Sequence, residues 1–164
     1  MSSKQRISEI FLDERGIVRR SPQVEHEHKV AIYDLLQKNH FRPICPPGDG
    51  GEGLEGPYVL HLSIVENRLI FDIRDEKDKA LAKFALPLSP FRSIVRDYFM
   101  ICDSYFKAIK TSAPSRIEAI DMGRRGIHNE GGELLRELLA DKVEIDDYTA
   151  RRLFTLICVL HIKA

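Results

Sequence analysis

The sequence predicts an α+β fold: an antiparallel meander of three to four strands, one face covered by four helices, with the C-terminal helix central. Three observations predict it. Across residues 58–74 apolar residues alternate on either side of a short polar turn, the pattern of a hairpin with one buried face. Four other stretches repeat apolar residues at helical spacing, and they open on serine, proline or aspartate signals. In the last of these, residues 153–162, eight of ten residues are apolar. A helix that is apolar all round sits inside a core or between subunits.

The elements follow in order. Residues 6–13 read as a short strand. Ser21-Pro22 announces a helix, with serine as N-cap and proline at the first helical position. Val24, Ala31, Ile32, Leu35 and Leu36 give that helix its apolar face, and it fades near Asn39. Residues 43–57 hold four prolines and five glycines, which makes a long flexible loop. The loop is acidic and lacks the Gly-Lys-Ser/Thr ending of a phosphate loop.

With Glu66-Asn67 as a two-residue turn, Leu60 faces Ile73, Leu62 faces Phe71 and Ile64 faces Leu69. One face is then wholly apolar, and His61 and Asp72 oppose each other on the other. A second hairpin around Lys77-Asp78 sets Phe84 against Phe71 and Leu86 against Leu69. Ser89-Pro90 repeats the helix-start signal. Phe91, Ile94, Val95, Tyr98, Ile101, Cys102, Tyr105 and Ile109 then recur as the stripe of a core helix. Residues 115–118 (Ser-Arg-Ile-Glu) read as a capping box opening a third helix. Asp146 or Asp147 starts the last helix, which reaches His161.

Composition narrows the function classes. A length of 164 residues suits one domain spanning 1–164. Basic and acidic residues balance at 25 and 25, so no global basic field recruits nucleic acid or an anionic membrane. The positive charges favour arginine, 15 against 10 lysines, with pairs at Arg19-Arg20, Arg124-Arg125 and Arg151-Arg152. Arginine's planar fork suits carboxylate, phosphate and interface contacts. Cys45, Cys102 and Cys158 are scattered and odd in number, with no zinc-site spacing, which suits a reducing cytoplasm. No signal peptide is evident, and the longest apolar run is too short to span a bilayer. No cofactor or metal motif is present.

The densest chemistry lies in residues 123–132, Gly-Arg-Arg-Gly-Ile-His-Asn-Glu-Gly-Gly. In one reading the third helix runs unbroken over 115–139. Positions 117, 120, 127, 131, 134 and 138 then share one apolar arc, and Arg124 falls inside it. A buried guanidinium must find carboxylates, carbonyls or a bound anion. Asp121 and His128 lie three and four residues away on the same side. The four glycines each cost the helix about 1 kcal/mol against alanine, which asks for close packing in return. In the other reading Gly126 caps a first helix and Asn129 opens a second, with Glu130 in its first turn. Both readings bring Asp121, Arg124, Arg125, His128, Asn129 and Glu130 together as candidate ligand-binding residues. His128 is the candidate acid/base among them.

Other candidates are weaker. Glu25-x-x-His28 is half of a di-iron motif without its second half, and reads as a solvated first turn. His61 and Asp72 read as a surface cross-strand pair with no nucleophile beside them. Cys102 and Cys158 sit in apolar helices as inert core thiols. Arg151-Arg152 opens the last helix against its dipole, which points to acidic neighbours.

Five stretches, residues 21–27, 66–69, 90–99, 117–131 and 149–161, together resemble an uncharacterised protein family of alphaproteobacterial hypothetical proteins. The resemblance spans most of the chain from Ser21 on, with a longer acidic Gly-Pro loop around residues 46–56. It implies a bacterial, cytoplasmic protein and brings no activity, cofactor or catalytic residue. The expected function is a non-enzymatic homodimer, joined through the last helix, that binds a small anion or a protein partner around Arg124, Arg125 and His128. The alternative is an enzyme on a phosphorylated or nucleotide substrate, a hydrolase or nuclease, with the arginines on phosphate and His128 as acid/base.

Overall fold

The computed structural model describes residues 4–13, 22–44 and 55–161. Ser21, Cys45 and most of the predicted 43–57 loop lie outside the described residues. The elements in chain order are β1 (Ile7–Leu12), α1 (Pro22–Gln37), β2 (Phe41–Pro43), β3 (Tyr58–Val65), β4 (Arg68–Arg74), β5 (Ala80–Pro87), α2 (Arg92–Thr111), α3 (Pro114–Leu139), β6 (Val143–Ile145) and α4 (Asp147–His161). This is the expected α+β fold, with four helices on a four-stranded sheet.

The meander β3-β4-β5 is antiparallel, and its register pairs Leu60 with Ile73, Leu62 with Phe71, Ile64 with Leu69 and His61 with Asp72. Phe71 then faces Phe84, and Leu69 faces Leu86. Glu66 and Asn67 both take positive φ, as a primed two-residue turn requires. The fourth strand differs from expectation. Strand β1 lies beside β3 and runs parallel to it, so the sheet is mixed, in the order β1-β3-β4-β5. The chain leaves β1 through α1 and β2 before entering β3, and such a long connection permits parallel pairing where a hairpin does not. The side pair β2 and β6 forms a separate antiparallel ribbon, three residues a strand, too short to show a period in sequence.

Two helix starts also differ. A 3-10 turn over Ser89–Phe91 precedes α2, and no side chain caps it. Helix α3 begins at Pro114, with Ala113 as an N-cap that makes no side-chain bond, so the 115–118 capping box does not form. Proline's fixed φ suits the first helical position, which moves the start one residue ahead of Ser115. Helix α4 is capped as read. The Asp146 carboxylate accepts the Thr149 N–H at 2.9 Å.

Helix α3 is continuous through Gly123, Gly126, Gly131 and Gly132. A Cβ at Gly131 would stand 2.5 Å from the Phe154 ring, and one at Gly132 would stand 3.2 Å from Arg151 Cγ. These two glycines therefore let α3 lie close against α4. Helix α4 packs between α1, α2, α3 and the sheet. Residues 153–160 are all buried within one chain, which accounts for their composition without a second subunit. Their neighbours in the core include Leu60, Leu62, Phe71, Phe91, Tyr98 and Leu135. Among the described residues no helix is long and apolar enough to cross a membrane.

A cationic cleft between four helices as the candidate functional site

Arg124 is held as its place in the apolar arc demands. Its side chain is 23% exposed, and its Nη1 donates to Glu27 Oε1 of α1 at 3.0 Å. Its Nε and Nη2 donate to Asp121 Oδ1 at 3.2 and 2.9 Å. The other oxygen of Asp121 takes Arg125 Nη2 at 2.9 Å. The guanidinium carbon of Arg124 also lies 4.9 Å from the Tyr105 ring centroid, within cation–π range. Burial works against the charge of Arg124, but the Asp121 bonds and the Glu27 charge outweigh it, and its pKa is raised.

Glu27 is the residue that reading the sequence missed. It belongs to a stretch expected to be a solvated first turn, yet its side chain is only 14% exposed. Besides Arg124 it accepts from Tyr98 Oη at 3.4 Å and from Cys102 Sγ at 3.7 Å. The signal was present. Val24, Glu27, Ala31 and Leu35 are spaced three, four and four apart, so Glu27 interrupts the apolar stripe of α1 as Arg124 interrupts that of α3. Two opposite charges, each lodged in an apolar stripe, meet across the helix interface.

His128 lies one turn beyond Arg124 and packs inward. Its ring stacks on Tyr98 with centroids 5.2 Å apart and meets the edge of Phe154 at 6.5 Å. Burial, followed by the charges of Arg124, Arg152 and Arg151, pushes its pKa down to about 4, with Asp121 opposing. The imidazole is neutral at physiological pH. Its Nε2 is buried and has no hydrogen-bond partner among the described residues.

These side chains line a cleft of about 770 Å³ to which all four helices contribute. Helix α1 supplies His26, Glu27, Val30 and Ala31, and α2 supplies Tyr105, Phe106 and Ile109. From α3 come Arg124, Arg125, His128 and Asn129, and from α4 Arg151, Arg152 and Thr155. Four arginines thus share the lining with one carboxylate. Of the six residues expected at the site, Arg124, Arg125, His128 and Asn129 reach the cleft. Asp121 stands behind it as the brace between the two α3 arginines. Glu130 is exposed and does not line it, because two residues beyond His128 is about 200° further round a helix. Tyr105 and Ile109, expected in the core, border the cleft instead, and Ile109 is 45% exposed.

The Arg151-Arg152 pair also belongs here. Arg152 Nη2 lies 3.6 Å from Asp34 Oδ2 of α1, the acidic neighbour its helix position called for. Its guanidinium covers the Tyr148 ring at 4.7 Å, and its Nε is buried without a partner among the described residues. Elsewhere, Asp72 is taken by Arg74 at 2.9 Å while His61 stacks on Phe11 at 5.0 Å, which leaves those two residues with separate partners. Burial raises the thiol of Cys102 to about 12 and that of Cys158 well above its usual range, as inert core thiols require.

The family described as an uncharacterised protein family, UPF0262, matches residues 4–163. The chain belongs to that family. It is 61% identical over 155 residues to a UPF0262 protein of Rhodospirillum rubrum, covering 94% of this chain and 91% of the relative. It is 57% identical over 163 residues to one of Paramagnetospirillum magneticum, covering 99% of each. A UPF0262 protein of Azorhizobium caulinodans is 55% identical over 159 residues, covering 96% of this chain and 94% of the relative. These relatives come from alphaproteobacteria, as the resemblance implied. No solved structure matches the chain.

Proposed function

We propose that this protein is a binding protein whose four-helix cleft receives a small anion, or the anionic group of a partner. One observation carries the reading: Arg124, Arg125, Arg151 and Arg152 converge on one cleft whose lining holds a single carboxylate, Glu27. Guanidinium groups on two packed helices present forked donors at fixed positions, which suits an oxyanion better than mobile lysines do. The alternative, a hydrolase or nuclease using His128 as acid/base, needs an imidazole that titrates near neutrality. A His128 with its pKa pushed down to about 4 favours binding over proton transfer.

Thermal unfolding of the full chain with phosphate, sulfate, citrate and chloride at low ionic strength tests the reading. At a concentration a hundred times its Kd, a bound anion should stabilise the chain by about 2.7 kcal/mol. Screening by added chloride should reduce the shift. The same melting temperature with every anion would remove the proposal. Phosphatase and nuclease assays on the wild type and His128→Ala address the alternative, and a rate that depends on His128 would revive it. The expected homodimer is a separate matter. Residues 153–160 are enclosed in one chain, so a subunit contact through α4 would have to use its remaining surface, at Asp147, Tyr148, Arg151, Arg152 and His161. Gel filtration with light scattering decides whether one forms.

A further inference from the structure

The four arginines are not equivalent. Arg124 already gives three of its five N–H donors to Glu27 and Asp121, and Asp121 also holds Arg125. On the α4 side the needs are unmet. Arg152 has Asp34 only at 3.6 Å, beyond a close charge-assisted bond, and its Nε has no partner among the described residues. Arg151 lines the cleft and forms no ion pair among the described residues. His128, beside them, carries the second unpartnered buried nitrogen. The buried nitrogens of the cleft that lack a partner among the described residues are therefore on Arg152 and His128, and Arg151 adds a guanidinium unpaired among those residues next to the first.

The rest of the lining includes an apolar part. Val30 of α1 and Tyr105, Phe106 and Ile109 of α2 face the cleft, and Val30 and Ile109 are 38% and 45% exposed. The cleft volume of about 770 Å³ lies in the range of sites for organic ligands and far exceeds what one inorganic anion fills. Building on the anion-binding reading above, we propose that the cleft takes an organic phosphate ester. Arg151 and Arg152 hold the phosphate, and the organic body lies against Tyr105, Phe106, Ile109 and Val30. A phosphate fits this end better than a carboxylate. It carries more acceptor oxygens and a charge of about −1.5 to −2, and it accepts donors converging from several directions. Arg124, already latched, positions Tyr105 and does not serve as the phosphate clamp.

Calorimetric titration of the full chain tests this with inorganic phosphate, phenyl phosphate, adenosine monophosphate and benzoate. Phenyl phosphate or adenosine monophosphate should bind at least about tenfold more tightly than inorganic phosphate, a difference of about 1.4 kcal/mol. The preferred ester tells a nucleotide from another aromatic phosphate. Benzoate should bind more weakly than phenyl phosphate. Arg151→Ala should lose about tenfold or more in ester affinity, while the exposed Arg125→Ala loses less than about threefold. Arg151→Lys keeps the charge and the stem but loses the fork, and should also bind more weakly, so an unfolded alanine variant does not leave the matter open. Esters no tighter than inorganic phosphate would overturn this inference and leave simple anion binding standing. Sensitivity at Arg125 with none at Arg151 would overturn the placement of the phosphate. No binding of any of the four probes would take down both readings.

Discussion

At the scale of single residues, the meeting of Glu27 and Arg124 carries the sharpest energetic consequence. Removing one partner of a largely buried ion pair leaves the other charge uncompensated, which costs up to about 3–5 kcal/mol when burial is complete. Here both side chains keep some exposure, so Glu27→Ala should destabilise the chain by about 2–3 kcal/mol in urea unfolding. The double variant with Arg124→Ala should recover part of that loss. Additive costs would mean that the two residues do not interact. His128 makes a second test. Its pKa is depressed in the fold, so the unfolded chain binds a proton that the folded chain refuses between about pH 6.5 and 4. Stability is therefore full above that window and falls as the pH drops through it. Between pH 7 and 5 the loss from this group should be about 2 kcal/mol, and His128→Leu should flatten the profile. Equal slopes for the two proteins would contradict the burial of the imidazole.

At the scale of elements, the strands and helix α3 divide into what local pattern records and what only packing decides. The register of β3, β4 and β5 was legible because its alternation is long and its turn is short. Strand β1 was legible as a strand but not as a parallel one, since the direction of pairing depends on where a connection returns and no local pattern records that. The three-residue strands β2 and β6 lie below the length at which a period can be seen. Helix α3 set local signals against periodicity. Glycines and charged residues suggested a break at Gly126, while the apolar phase persisted across it. Packing on α2 and α4 rewards the phase, and tertiary burial outweighs about 1 kcal/mol for each glycine.

The glycines of α3 can now be told apart. A Cβ at Gly126 would meet nothing within 4 Å, so Gly126→Ala should stabilise the chain by up to about 1 kcal/mol. Gly131→Ala would drive a methyl into the Phe154 ring, and should destabilise it by about 1–3 kcal/mol despite the better helix propensity. Chemical denaturation of the two variants side by side checks both signs, and matching effects would refute the packing described for α3 on α4.

At the scale of the molecule, the cleft was half visible in the sequence. The run from Arg124 to Asn129 marked itself by composition. Arg151-Arg152 stood out as a pair, but nothing tied it or the residues of α1 and α2 to that run, because a site assembled from four helices is a property of how they pack. Glu27 sits 97 residues from Arg124 along the chain, and only the fold makes them neighbours. The same packing encloses α4, so its apolar surface serves the core and the arginines at its start are left to face the cleft.

The approach of α3 to α4 at Gly132 bears on recognition as well as stability. With hydrogen where any other residue carries carbon, the stem of Arg151 rests against the α3 backbone. The bare position works as a gauge block that sets how far the α4 guanidinium groups stand from those of α3. A methyl inserted there, by Gly132→Ala, should tilt Arg151 and weaken the proposed phosphate binding in the same titration, although no atom proposed to touch the phosphate has been exchanged.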